Sequence, residues 1–138
     1  MGYVQATIEL TNGWEMENAR RGLMDKDEVK RMDIQVLVDT GSMNMCINEV
    51  VCEALQLPLM DRKKSVLANG NIIECNIAGP VYVRFKNRNC LILVTVLPGD
   101  NECLLGAIPL EEMDIMVDPK RGELIVNPDH PEYSIHRI

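Results

Sequence analysis

Residues 36–42 read Val-Leu-Val-Asp-Thr-Gly-Ser, and most of what this chain discloses turns on them. Three apolar residues run straight into an acid, a hydroxyl, a glycine and a second hydroxyl. A carboxylate at the end of a buried run is costly unless something satisfies it or uses it. Taken alone, Asp39, Thr40, Gly41 and Ser42 also suit an ordinary turn, since each of these residue types favours turns. Their surroundings separate the two readings.

Working upstream, 33–38 (Asp-Ile-Gln-Val-Leu-Val) forms the strand that delivers Asp39. Residues 3–10 alternate loosely and read as another strand, closed by Thr11-Asn12-Gly13. The polar segment 14–32 fits either a long hairpin loop or a short helical piece. Downstream, Asn48 to Leu57 reads as a helix with Asn48 as its N-cap, Val51, Cys52 and Leu55 on one side, and Pro58 as its stop.

Two short strands, 64–68 and 72–77, flank Asn69-Gly70, a strong hairpin signal. Ala78-Gly79-Pro80 breaks the chain before strand 81–85, and the turn at 86–89 leads to an apolar strand over 90–97. A second apolar run, Cys103-Leu104-Leu105, ends on Gly106, and a short helix begins near Pro109. Strand 123–126 follows the turn at 119–122, and the tail from Asn127 reads as an extended arm. Seven or eight short strands with two short helices predict a mostly-β, closed or sandwich-like domain spanning 1–138. Apolar strand, glycine and helix occur twice, at 36–57 and at 103–115.

Composition limits the function. Aromatics make up 4% of the chain, so the core must rest on Val, Ile and Leu, with the nine methionines filling gaps. A net charge of −7 argues against nucleic acid and against anionic membrane surfaces as partners. The densest basic cluster, Arg62-Lys63-Lys64, reads as a solvated loop. No apolar run approaches the length of a membrane helix, and the start lacks a signal peptide. Met1-Gly2 matches the start of a myristoylation signal, but Ala6 stands where that signal needs Ser or Thr. The expected location is therefore cytoplasmic. The five cysteines form no C-x-x-C pair and read as reduced thiols. No spacing supports Cys46 with His130 or His136 as a nucleophile and base, and both histidines read as solvated.

The 36–42 stretch resembles the active-site signature of retropepsin-like aspartic proteases. Leu104-Leu105-Gly106, about 65 residues after the acid and followed by a short helix, is similar to that family's second apolar-apolar-glycine element. The Ala68-Asn69-Gly70 hairpin falls where the family places its flap, although residues 66–74 carry no aromatic side chain. The segment 117–122 is similar to single-domain bacterial and archaeal members.

The resemblance implies a two-fold homodimer in which Asp39 meets its copy, because the chain has a single Asp-Thr-Gly. It implies that Thr40 braces the dimer, that Gly41 allows a tight turn, and that Ser42 donates to the carboxylate. Leu104 and Leu105 would pack behind the loop, with Gly106 permitting close contact, while Ala68, Asn69 and Gly70 close over a peptide or protein substrate. No cofactor or metal is implied. The activity expected is that of an aspartic endopeptidase. The alternative is a binding or dimerisation module of the same fold with little or no proteolysis.

Overall fold

The structure, a computed structural model, describes residues 3–136 and Ile138. Met1, Gly2 and Arg137 lie outside the described residues, and so does the Met1-Gly2 start considered for lipidation.

Strand β1 (Val4–Asn12) pairs antiparallel with β2 (Arg31–Val38), from Val4 opposite Val38 to Thr11 opposite Arg31. The segment between them, left open by the sequence, contains helix α1 (Gly13–Arg20) and a 3₁₀ turn at Lys26–Glu28. Asn12 is what starts α1. Its side chain accepts from the Glu15 N–H at 3.1 Å while its amide donates to the Leu55 carbonyl at 2.9 Å. A residue that reads as turn chemistry is thus a buried cap tying two helix ends together.

After the Asp39 loop come β3 (Cys46–Asn48) and α2 (Glu49–Ala54), capped as expected by Asn48, which accepts from the Val51 N–H at 2.9 Å. Then follow β4 (Leu59–Val66), β5 (Ile72–Phe85), β6 (Arg88–Leu97), β7 (Cys103–Leu105), α3 (Ala107–Met113), β8 (Ile115–Asp118) and β9 (Glu123–Val126). The strands of the main sheet lie in the order β1-β2-β7-β3-β6-β5-β4, and β5 also pairs with β1. That extra pairing, Glu9 opposite Arg84 through Asn12 opposite Val81, closes a six-stranded barrel. Strand β4 remains outside as the free arm of a hairpin, and β8 and β9 form a separate two-stranded ribbon.

The expected break at 78–80 is a register shift inside one long strand instead. The first half of β5 holds the hairpin and the second half closes the barrel, so continuous pairing with β6 outweighs the local Gly-Pro signal. The barrel is filled by Ile8, Leu10, Val36, Ile47, Val81 and Leu105, all essentially inaccessible. Each such side chain contributes about 1.5–3 kcal/mol relative to exposure. Methionine has a smaller share than expected. Met45 and Met113 are buried, but Met43, Met60 and Met116 are exposed, because branched aliphatics already fill the pleated interior.

The tail is not a free arm. The buried Arg88 guanidinium donates to the His130 carbonyl, and Asn87 donates to the Pro131 carbonyl at 3.0 Å. His130 Nδ1 lies 2.7 Å from Asp114 Oδ2, and His136 Nε2 lies 2.5 Å from the Glu112 carbonyl. Both histidines are therefore engaged, because the chain turns back at Asn127 through a bond from the His130 N–H to the Asn127 carbonyl.

Candidate active site

Asp39 stands where β2 leaves the barrel. Inside β2, Ile34 and Val36 face the core, and Val38 and Asp39 are half-buried. β7 runs parallel alongside, with Val36, Leu37 and Val38 opposite Cys103, Leu104 and Leu105. The pairing continues one step past the strand, where the Asp39 N–H donates to the Leu105 carbonyl at 3.0 Å. The chain then turns sharply, and the Ser42 N–H donates to the Asp39 carbonyl at 3.1 Å. Within that turn the Gly41 N–H donates to Asp39 Oδ1 at 3.0 Å. The acid's position is thereby set by main-chain groups on either side of it.

The same loop is tied to α3. The Ala107 N–H donates to the Ser42 carbonyl at 2.8 Å and the Ile108 N–H to the Met43 carbonyl at 2.9 Å. Gly106 makes this possible, since a Cβ there would lie 2.3 Å from the Asn44 carbonyl oxygen and 2.6 Å from that of Ser42. Leu105 is fully buried behind the loop, while Leu104 is half-buried opposite Cys46. The two apolar-glycine segments singled out in the sequence, 36–42 and 104–106, thus form one structural unit.

Ser42 departs from expectation. Its Oγ donates to the Asn44 carbonyl at 3.3 Å, not to Asp39, because the tight turn aims the Gly41 N–H at the acid and leaves Ser42 beside its own loop. Thr40 and Gly41 are exposed, as are Met43 and Ile108 beside them. Asp39 therefore sits at the edge of an open, partly apolar surface.

The hairpin of β4 and β5 ends in a turn held by bonds from the Leu67 N–H to the Asn71 carbonyl (2.8 Å) and from the Gly70 N–H to the Leu67 carbonyl (2.9 Å). Gly70 has φ +86°, a conformation that favours glycine. Ala68, Asn69 and Gly70 are exposed, and no hydrogen bond among the described residues joins them to the Asp39 loop. The cluster Arg62-Lys63-Lys64 lies in β4 rather than in a loop, because the ladder to Cys75, Glu74 and Asn76 continues through it.

Burial, followed by the neighbouring Cys75, Cys103 and Asp39, pushes the Cys46 thiol up, and burial pushes Cys90 up to about 12. Neither supplies a ready thiolate. Among the described residues no group of three or more His, Cys, Asp or Glu side chains is placed to hold a metal. No helix is long and apolar enough to cross a membrane among those residues.

A concavity of about 660 Å³ lies between α3 and the tail, lined by Ile108, Leu110, Ile135 and His136, and Asp39 is not among its lining residues. The chemistry of the Asp39 loop, not this volume, marks the site.

The sequence missed the buried Asn12 cap and the Asp114–Asn127–His130 cluster. The Asn12-Gly13 pair carries a usable signal for the first, as a cap preceding a helix. Nothing local links Asp114 to residues 13 and 16 positions away.

Among solved structures, the crystal structure of the retroviral protease-like domain of Ddi1 from Leishmania major is similar to this chain with a TM-score of 0.52. The match covers 93% of this chain and 89% of that one at 15% sequence identity. The fold is therefore retropepsin-like: a closed, mostly-β barrel with few short helices. No family model matches the chain, and no curated protein matches it.

Proposed function

We propose that the protein is an aspartic endopeptidase of the single-domain retropepsin-like kind, active as a two-fold homodimer. The observation that carries this reading is the setting of Asp39. A half-buried carboxylate ends an apolar strand, accepts from the Gly41 N–H and sits on a loop locked to β7 and α3, within a retropepsin-like barrel.

Peptide hydrolysis needs a base for water and an acid for the scissile group. One carboxyl cannot be both at once, and the chain offers a single Asp-Thr-Gly. A two-fold axis beside the exposed Thr40-Gly41 edge brings Asp39 against the partner subunit's Asp39. The pair shares one proton, because two like charges at close range do not both ionise. The ionised carboxylate takes a proton from water as its oxygen bonds to the carbonyl carbon, and the protonated carboxyl donates to the carbonyl oxygen. The carboxyl that took water's proton then gives it to the nitrogen as the C–N bond breaks, and the other carboxylate takes a proton from a hydroxyl of the tetrahedral intermediate as C=O re-forms, which returns the pair to its single shared proton. Exposed Met43 and Ile108 beside the loop suit an apolar contact between copies.

The test is a peptide-library digest at about pH 4–7, the range natural to a proton-sharing pair. Wild type should cleave, and Asp39→Asn should be at least about 10²-fold slower while retaining its fold and assembly. Equal cleavage by both proteins, or a wild type that cleaves as a monomer, would rule the mechanism out.

A further inference from the structure

The cationic stretch of β4 is divided between the two faces of the hairpin. Residues directly opposite in an antiparallel ladder point to the same face. Lys63 stands opposite Cys75 and Ser65 opposite Ile73, whereas Lys64 stands opposite Glu74 and Arg62 opposite Asn76. The two faces differ in character. Cys75 is 3% exposed and shares its face of β5 with Ile77, which stands opposite Thr95 of β6, and Thr95 in turn stands opposite Cys46 of β3, just beyond the Asp39 loop. The face carrying Cys75, Ile73 and Lys63 therefore looks toward the Asp39 loop. The opposite face looks to solvent, with Ile72 exposed and Arg62 paired with Glu74 at 3.4 Å.

Lys63 has no ion-pair partner among the described residues, although Arg62 beside it has one. Asp61 is two residues along on the same face, but its Oδ1 accepts from the Arg62 N–H at 2.7 Å. The inner face thus presents an apolar floor of Ile73 and Cys75 with one uncommitted ammonium above it, in a chain whose net charge is −7. An extended peptide between hairpin and loop sends every second side chain toward the hairpin. A glutamate there lays its stem on the apolar floor and its carboxylate on the ammonium.

The geometry points to Lys63 as a specificity-determining residue that selects peptides carrying an acidic side chain at the one position facing the inner side of the hairpin. This rests on the reading of Asp39 as the centre of a peptide-binding site. Asp61, one step nearer the barrel, makes the preference positional, because an acid at the neighbouring inward position meets a like charge.

The decisive measurement is binding with hydrolysis removed. The full-length Asp39→Asn protein is titrated against fluorescein-labelled decapeptides in which Glu replaces Gln at each position in turn, and anisotropy is read. One position should favour Glu by about fivefold, an effect of the size of a well-placed ion pair. Lys63→Gln should abolish that preference and Lys63→Glu should reverse it in favour of Gln. Lys64→Gln, which removes the same charge from the outer face, should leave it intact. The assignment is overturned if no peptide binds, if Glu and Gln bind alike at every position, if the preference survives Lys63→Gln, or if Lys64→Gln weakens it equally. Loss of wild-type cleavage with the charge preference intact would count against the protease reading and not against Lys63. Cleavage without the preference would do the opposite.

Discussion

The main-chain N–H of Asp39 bonds to the carbonyl of Leu105 at 3.0 Å, joining two residues 66 positions apart. Through that bond the acid-bearing loop continues the β2–β7 ladder, and the next residue along, Gly106, lets the loop lie against the start of α3. The acid is held by the packing of two segments as well as by its own turn.

Gly106→Ala follows directly. Its Cβ would lie 2.3 Å from the Asn44 carbonyl oxygen, and both partners are backbone. The loop must move or the protein must lose stability by about 1–3 kcal/mol. Thermal unfolding should show the midpoint falling by several degrees, with peptide cleavage falling further than stability alone explains. An unchanged midpoint would mean that this contact is looser than described.

Mixing tests the shared site. If each active centre needs an Asp39 from both copies, Asp39→Asn acts as a poison. At tenfold excess over wild type, after exchange, wild-type/wild-type pairs retain only about one-eleventh of the starting activity. Activity that stays constant under such mixing would show a site complete within one chain. The substitution itself should be structurally mild, since an Asn side-chain oxygen can still accept from the Gly41 N–H.

Asp114 supplies a pH signature of stability. The Asn127 amide, with further help from His130 and the Ile135 N–H, holds its carboxyl down at about 2 against partial burial. A carboxyl lowered on folding stabilises the native state above its ordinary range, and that contribution is lost as pH falls from about 4 toward 2. Asp114 has φ +53°, which Asn also tolerates, so Asp114→Asn removes the charge without new backbone strain. The variant should be less stable by about 1 kcal/mol at pH 7 once solvent screening is allowed for. The gap from wild type should close near pH 2. Denaturant titrations at both ends check this, and a gap that widens in acid would contradict it.

Cys90 should be chemically silent in the native state. Burial lifts its thiol to about 12, and only 7% of the residue is exposed. Alkylation at pH 7.5 followed by mass spectrometry should find Cys90 at least about 100-fold slower than a free thiol, and fast only in denaturant. Rapid native labelling would place it at the surface.

Gly70→Ala probes the hairpin tip. The backbone there has φ +86° with no atom within 4 Å of the added methyl, so the cost is conformational, about 1 kcal/mol. Because β4 is exposed along nearly all its length, that cost should reshape the tip and leave global unfolding nearly untouched. Peptide affinity should fall while the unfolding midpoint moves little. A large drop in midpoint would show that the tip belongs to the cooperative core.

The elements around Asp39 were legible because each carried its own local signal: an alternating strand, a glycine, a capped helix, an Asn-Gly hairpin. Asn48, Pro58 and Gly70 name their roles within a few residues. The path of β5 was not legible, because Gly79-Pro80 is a local break that distant pairing overrides. Nor was the fate of the tail, since Arg88 and Asp114 receive it only after the barrel has closed. The Ser42 contact failed for a related reason. Residue type shows what a hydroxyl can donate to, but only the turn's geometry shows what lies within its reach.

The groups that anchor the acid-bearing loop are amides and carbonyls, which every residue but proline supplies in full. Mutation can therefore rewrite most neighbouring side chains without shifting the carboxylate, provided glycine stays where the chain is tightest. An architecture fastened in that way tolerates wide drift in composition, and a likeness in shape at 15% identity is what such fastening permits.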